Sequence, residues 1–381
     1  MENENISPSS TATTHNSSNK RSLGNFLGGD FSLSKRRRVL RSAILAFFVI
    51  YALLTIAPFY FLFVRTFIDT KDSTDLHLWP PPIGEISMDA GIGNLSIFYN
   101  LDLQKVKDDW GIPNTEYLNP KWKLSRIAEE YSISQDTIRE YLRPFGRYNG
   151  WIVLFSNEDF WPSILRTMTV TVLGVVGLSM LGIFTGTGLA GLRYGYQRFF
   201  YALYLLEVVI PPFLILLPQF YMVNKIQALI PGSGEPGTIR NISQLAVIVA
   251  LYIKGGALST MIYTSAIGAI PRDLEESAEI DGASRWQYIW YILLPLMKVP
   301  IASLTVIVLP FFWNDFLQPF VYLDPKNSTL LPLIQSFTGQ YTTNFQIVFT
   351  GVFISIIPLV LIYILFRKWF VAGVMEGAIK G

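Results

Sequence analysis

Residues 167–192 read TMTVTVLGVVGLSMLGIFTGTGLAGL, without one charged side chain. A helix rises about 1.5 Å per residue and a bilayer core is about 30 Å thick, so about 20 consecutive apolar residues suffice to cross it. Two further stretches, 43–64 and 345–366, are equally free of charge. Three more carry one charge each: 199–224 with Glu207, 241–271 with Lys254 and 299–323 with Asp315. The pattern predicts an all-α polytopic membrane protein with six transmembrane helices.

Composition agrees. Of 381 residues, 51% are hydrophobic and only 15% charged, with a mean hydropathy of +0.36, whereas a soluble domain carries about 25% charged residues. An aromatic content of 14% and a net charge of +2 also exclude a disordered chain. There is no cysteine, which removes disulfides, thiol nucleophiles and cysteine-held metals. His15 and His77 are the only histidines, too few for a histidine-built metal site or catalytic triad, so neither a metal nor a catalytic residue is expected.

Orientation follows the basic residues, which stay on the cytoplasmic side. Lys35-Arg36-Arg37-Arg38 and Arg41 precede the first span, and Arg367, Lys368 and Lys380 follow the last. Both termini are therefore expected in the cytoplasm, together with the loop at 267–298. The two short outer loops hold only Lys225, Arg240 and Lys326. The first apolar run is too long and begins too late for a cleaved signal peptide. Residues 1–34, rich in Ser, Thr and Asn, read as a disordered cytoplasmic tail. Residues 35–65 read as the first span with its basic flank, 66–155 as an extracytoplasmic insert and 156–381 as a core with five spans.

The insert, with its Pro80-Pro81-Pro82 run, reads as loops around a few short helices. Within it, 124–142 (LSRIAEEYSISQDTIREYL) has helix-turn-helix spacing, with Ser134 placed to cap the second helix. That spacing supports a rival reading, a membrane-tethered DNA-binding sensor. Against it, the insert holds nine basic and thirteen acidic side chains, while DNA binding needs a basic surface to neutralise phosphates.

Loop 267–298 reads as two short helices. Pro271 suits a helix start, and Asp273, Glu275 and Glu276 crowd the first turn, where carboxylates favour the positive end of the helix dipole. Gly282 permits the positive backbone angle that ends the first helix. Ser284 can cap the second, whose Trp286, Ile289, Trp290 and Leu293 fall on one face, and Pro295 stops or kinks it.

Here the residues resemble a family. Glu276-Ser277-Ala278, then Gly282, then Ile292-Leu293-Leu294-Pro295 match the signature loop of permease subunits of bacterial ABC importers, with Ser277 standing where the family has alanine. Trp313-Asn314-Asp315-Phe316-Leu317-Gln318-Pro319, Leu331-Pro332-Leu333 with Gln340-Tyr341, and the ending from Phe370 to Gly381 are similar to its carbohydrate-uptake, MalG-like branch. The likeness covers about residues 155–381 and the first span in outline. It implies the MetI-like permease fold and a non-enzymatic, multi-pass subunit of a bacterial plasma membrane that passes a sugar or oligosaccharide into the cytoplasm.

The resemblance further implies that the loop docks on a separate ATPase, with Glu275, Glu276, Ser277, Ala278, Asp281, Gly282, Ile292 and Pro295 at the contact. The chain has no Gly-x4-Gly-Lys-Ser/Thr phosphate loop, so ATP is expected on the partner and no cofactor on this chain. Two ATP-binding subunits, a second related permease and an extracytoplasmic solute-binding protein are the implied partners, and no nucleic acid. Gln340, Tyr341, Thr342, Thr343 and Asn344 are expected to reach toward the binding protein, or else to form a plain solvated turn. Another solute, such as a glycerol phosphate, is the alternative within transport.

A charge inside a span is expensive and marks a functional candidate. Glu207, Lys254, Asn314 and Asp315 are therefore the candidates for the solute path. Glu207 and Lys254 either pair across the bundle or line that path, unless Lys254 snorkels toward an interface. Phe312 and Trp313 either stack on sugar rings or pack in the core.

Overall fold

The computed structural model describes residues 35–69, 77–81, 86–99, 101–192, 194–254, 256–338 and 344–379. The chain divides into two compact units, 1–58 and 59–381. In the first, the described part is the opening section of helix α1 (Lys35–Arg65), which begins on the basic run. Its apolar side chains from Val39 to Ile56 are exposed, as suits a helix whose solvent is lipid. The tail expected over 1–34 lies outside the described residues.

The second unit contains no strand among its described residues, apart from an isolated bridge between Gly91 and Lys123. Near its start, α2 (Ile92–Tyr99), α3 (Leu103–Trp110), α4 (Leu124–Glu130) and the first half of α5 (Gln135–Ser156) gather around one apolar cluster. Leu95, Val106, Trp110, Ile127, Ile138 and Leu142 fill it. The few short helices expected in the insert thus share a core of their own. The segment 124–142 does fold as helix–turn–helix, but α5 runs on past residue 142. Its Val153 and Leu154 join a second cluster with Phe160, Leu330, Ile334 and Ile347. The exposed side of its first turns mixes Asp136, Arg139, Glu140 and Arg143, which is no basic stripe.

The remaining helices are α6 (Phe160–Ala190), α7 (Tyr194–Val209), α8 (Pro212–Ala228), α9 (Thr238–Lys254), α10 (Ala257–Gly268) and α11 (Asp273–Ile280). After them come α12 (Arg285–Leu296), α13 (Lys298–Trp313), α14 (Leu317–Tyr322), α15 (Leu330–Ser336) and α16 (Phe345–Ile379). The central element is α6, with α9, α10, α13 and α15 against it. Lipid offers no hydrophobic drive between helices, so close packing and hydrogen bonds must hold them. At Gly182 an added Cβ would stand 2.6 Å from Ser259 Oγ and 2.9 Å from the Tyr263 ring. The Thr185 and Thr260 hydroxyls bond at 2.7 Å across the same seam.

Among the described residues, three helices are long and apolar enough to cross a bilayer singly: Val39–Arg65, Phe160–Ala190 and Phe345–Leu365. Two bent pairs, α9 with α10 and α12 with α13, bring the number to as many as five. The expected span 199–224 is split into α7 and α8. Pro212 forces the residue before it out of the helical region, and Pro211 accordingly adopts φ −60°, ψ 131°.

The expected span 167–192 starts earlier, at Phe160, because Arg166 is satisfied by the Ser328 carbonyl at 3.2 Å and does not end the helix. Of the two expected effects of Pro295, to stop or to kink α12, the structure has the kink. Pro295 lacks the N–H that would bond the Tyr291 carbonyl, residues Tyr288–Leu293 widen into a π turn, and the chain bends by 70° only after Leu296. Near the first turns of α6, Arg240 grips Asp324 through Nε and Nη2 at 2.7 and 2.8 Å. Those hydrogen bonds hold the Asp324 carboxyl below the usual carboxylate range.

Candidate coupling hairpin and polar midsection

The hairpin follows from its local chemistry. Asp273, Glu275 and Glu276 occupy the first turn of α11, where their charge meets the free N–H groups. Gly282 turns the chain at φ +79°, an angle that suits glycine because a Cβ would be strained there. Its N–H donates to the Glu279 carbonyl at 3.0 Å, and the next N–H, of Ala283, to the Ala278 carbonyl at 2.9 Å. Ser284 then caps α12, with Gln287 Oε1 accepting from the Ser284 N–H at 2.7 Å to close a capping box.

One helix of this hairpin is anchored and the other is not. On α12, Tyr288, Ile289 and Leu293 are buried in a cluster with Leu178, Ile183 and Tyr263. Of the expected face, Ile289 and Leu293 are buried while Trp286 and Trp290 are exposed. Trp286 meets Phe184 edge-on, at 5.6 Å between ring centroids. On α11 only Ala278 is buried. Glu275, Glu276, Ser277, Asp281, Gly282 and Pro295 are exposed, and Ile292 is half-buried.

Beside α11 opens a cavity of about 370 Å³, where Arg272, Glu275, Glu276, Glu279 and Arg285 surround the end of α6 at Thr187. The sequence reading missed Ile280, an isoleucine 85% exposed at the tip. Its only signal was an apolar residue between Glu279 and Asp281.

The candidates within the spans come partly together. Glu207, on α7, accepts the N–H of Ala257 at 3.2 Å, the first residue of α10. Lys254, the last residue of α9, donates to Gln219 Oε1 on α8 at 3.0 Å. Both charges therefore meet the break between α9 and α10, each bonded to a different partner. Asn314 and Asp315 form the turn between α13 and α14, with Asp315 Oδ1 accepting the Gln318 N–H at 3.4 Å.

Asp315 also faces the Tyr252 hydroxyl, and the Tyr252 ring stacks on Phe312 at 4.2 Å. Trp313 is buried, its Nε1 donating to the Ser355 carbonyl at 2.9 Å, so both aromatic candidates pack in the core. Glu207, Lys254 and Asn314 remain exposed. Gln219 and Tyr252 were missed, since neither is charged and only the fold brings them here. Gln340, Tyr341, Thr342 and Thr343 lie outside the described residues. Asn344 is buried, its Oδ1 accepting the Ile347 N–H at 3.3 Å in the first turn of α16.

Residues 178–375 match a protein family described as "Binding-protein-dependent transport system inner membrane component". The matched stretch contains the whole hairpin and all four charged or polar candidates of the midsection. The probable starch degradation products transport system permease protein AmyC of Thermoanaerobacterium thermosulfurigenes is 28% identical over 226 residues, which cover 59% of this chain and 78% of that protein. The arabinooligosaccharides transport system permease protein AraQ of Halalkalibacterium halodurans is 26% identical over 270 residues, 71% of this chain and 87% of that one.

Among solved structures, a chain of a bacterial ABC transporter involved in the import of the acidic polysaccharide alginate aligns with a TM-score of 0.59 and 16% identity. It covers 90% of this chain and 100% of its own length, a likeness of fold alone. That coverage leaves out fewer residues than 66–155 contains, so part of the insert belongs to the shared fold rather than standing outside it.

Proposed function

Because the chain belongs to the family of binding-protein-dependent transport system inner membrane components, we propose that it is the permease subunit of an ABC importer that passes a saccharide into the cytoplasm by alternating access. A separate ATPase supplies the energy, and α11 is the element that docks on it. The observation that carries this reading is the unequal hairpin: α12 is rooted in the core while α11 buries only Ala278. A push on α11 is then delivered through α12 to α13 across the 70° bend. The partners are two ATP-binding subunits, a second related permease and an extracytoplasmic solute-binding protein.

In this reading the chain spans the membrane six times, with both ends in the cytoplasm. The spans are α1, α6, the broken α7–α8, α9–α10, α13–α14 and α16, and α12 lies along the cytoplasmic interface, where Trp286 and Trp290 suit the headgroup region. Residues 66–155 lie outside the cell. Glu207, Lys254 and Asn314 face the solute path, because exposed polar groups at span depth need water or a partner rather than lipid, and the half-buried Asp315 borders it. A saccharide is the solute class supported by the names of the two permease relatives.

Uptake of labelled malto- and arabino-oligosaccharides by right-side-out vesicles tests the reading. Energy-dependent, saturable uptake is expected with the chain and its partner subunits, and none when this chain is omitted. Absence of uptake of every saccharide by an assembly whose ATPase is active would contradict the solute class.

A further inference from the structure

A groove of about 380 Å³ opens between α3 and α5, reaching Val153 and Asn157 at the end of α5, just before α6 begins. The rings of Tyr141 and Phe145 line one wall, tilted by 38° with centroids 6.0 Å apart. Asp102, Lys105 and Asp109 on the α3 side and Asn157 at the end of α5 make a polar rim. Tyr141 is fixed in place: its hydroxyl donates to Asp109 Oδ2 at 2.8 Å, and its ring meets Trp110 edge-on at 5.6 Å. Burial, and then the neighbouring Asp109, push the phenol well above its ordinary range, so it stays a donor.

We propose that this groove is a second saccharide site, separate from the membrane path, sized for one or two rings of a neutral sugar. A sugar ring presents a C–H face that packs on aromatic rings and an edge of hydroxyls that both donate and accept. Tyr141 and Phe145 match the face, and the carboxylates, ammonium and amide of the rim match the edge. The volume is that of a small-ligand pocket. Two carboxylates against one ammonium disfavour a uronate. The choice of ligand rests on the saccharide reading of transport, while the groove itself does not.

The full chain in lipid nanodiscs, free of glycoside detergent, is titrated with maltotriose, arabinotriose and trigalacturonate while tryptophan fluorescence is followed, Trp110 being in contact with Tyr141. A saturable response to at least one neutral trisaccharide is expected, with affinity at least about tenfold lower in Tyr141→Ala and in the shape-preserving Asp109→Asn, and with weaker binding of the uronate. No saturable response to either neutral probe, unchanged affinity in either variant, or equal binding of the uronate overturns the proposal. Normal saccharide uptake with no binding at the groove removes this site and leaves the transport reading standing. Binding at the groove with no uptake does the reverse.

Discussion

Between Leu124 and Ser156, and again between Asp273 and Leu296, the chain forms two helices joined by a tight turn. Both turns pass through a residue with positive φ, Ser132 at 54° and Gly282 at 79°, and both second helices start on a serine cap, Ser134 and Ser284. They differ in what they bury. In the insert both helices contribute to one core, with Ile127 and Ala128 from the first and Ile138 and Leu142 from the second. In the hairpin the first helix contributes Ala278 alone and leaves Ile280 in solvent. Identical local grammar therefore serves a finished unit in one place and an unfinished one in the other. A helix that this chain leaves uncovered is the one available to a second subunit.

Substitutions that act on one region and spare the other would sharpen the contrast. The largest expected effect is Gly282→Asp, which places a charged side chain at the positive-φ turn where open space surrounds the position. It should abolish uptake and ATPase association while membrane insertion, followed by immunoblot, stays normal. Leu142→Ala should do the opposite, costing about 2–5 kcal/mol of insert stability by leaving a cavity, read as an earlier thermal unfolding step with ATPase association unchanged.

The matched pair Ser284→Ala and Ser134→Ala should each cost about 1 kcal/mol of helix stability, but only the first should lower the coupling of ATP hydrolysis to uptake. Equal loss of coupling from both would break the comparison. The smallest effect concerns Asp324. A carboxyl held below its ordinary range adds stability above its unfolded pKa of about 4 and loses it as pH falls through the lower folded value. Thermal stability should therefore decline on acidification below about pH 4, and Arg240→Gln should remove that part of the decline.

Much of this was legible in the sequence because it depends on local chemistry. Hydropathy located the long apolar helices α1, α6 and α16, and the carboxylates of the first turn, Gly282 and Ser284 announced the hairpin residue by residue. What the sequence hid depends on contacts between distant segments. Arg166 looked like a span boundary until the Ser328 carbonyl satisfied it. Glu207 and Lys254 looked like a possible pair, yet the break between α9 and α10 and Gln219 supply each with its own partner. The short helices of the insert were expected, but not that residues as far apart as Leu95 and Leu142 would close into one shared core. The π turn over Tyr288–Leu293 was equally invisible, as was the exposure of Trp286 and Trp290.

The central claim is that α11 meets the ATPase while the insert does not. The chain contains no cysteine, so single cysteines can be introduced by Ile280→Cys and, as the control, Gln135→Cys on the exposed first turn of α5. Each is labelled with a maleimide that carries a photoreactive benzophenone, which inserts into neighbouring C–H bonds, and irradiated in membranes that contain the assembled importer. The account predicts a covalent adduct between position 280 and the ATP-binding subunit, and none from position 135. An adduct from position 135, or none from position 280 in an importer that still transports, would contradict it.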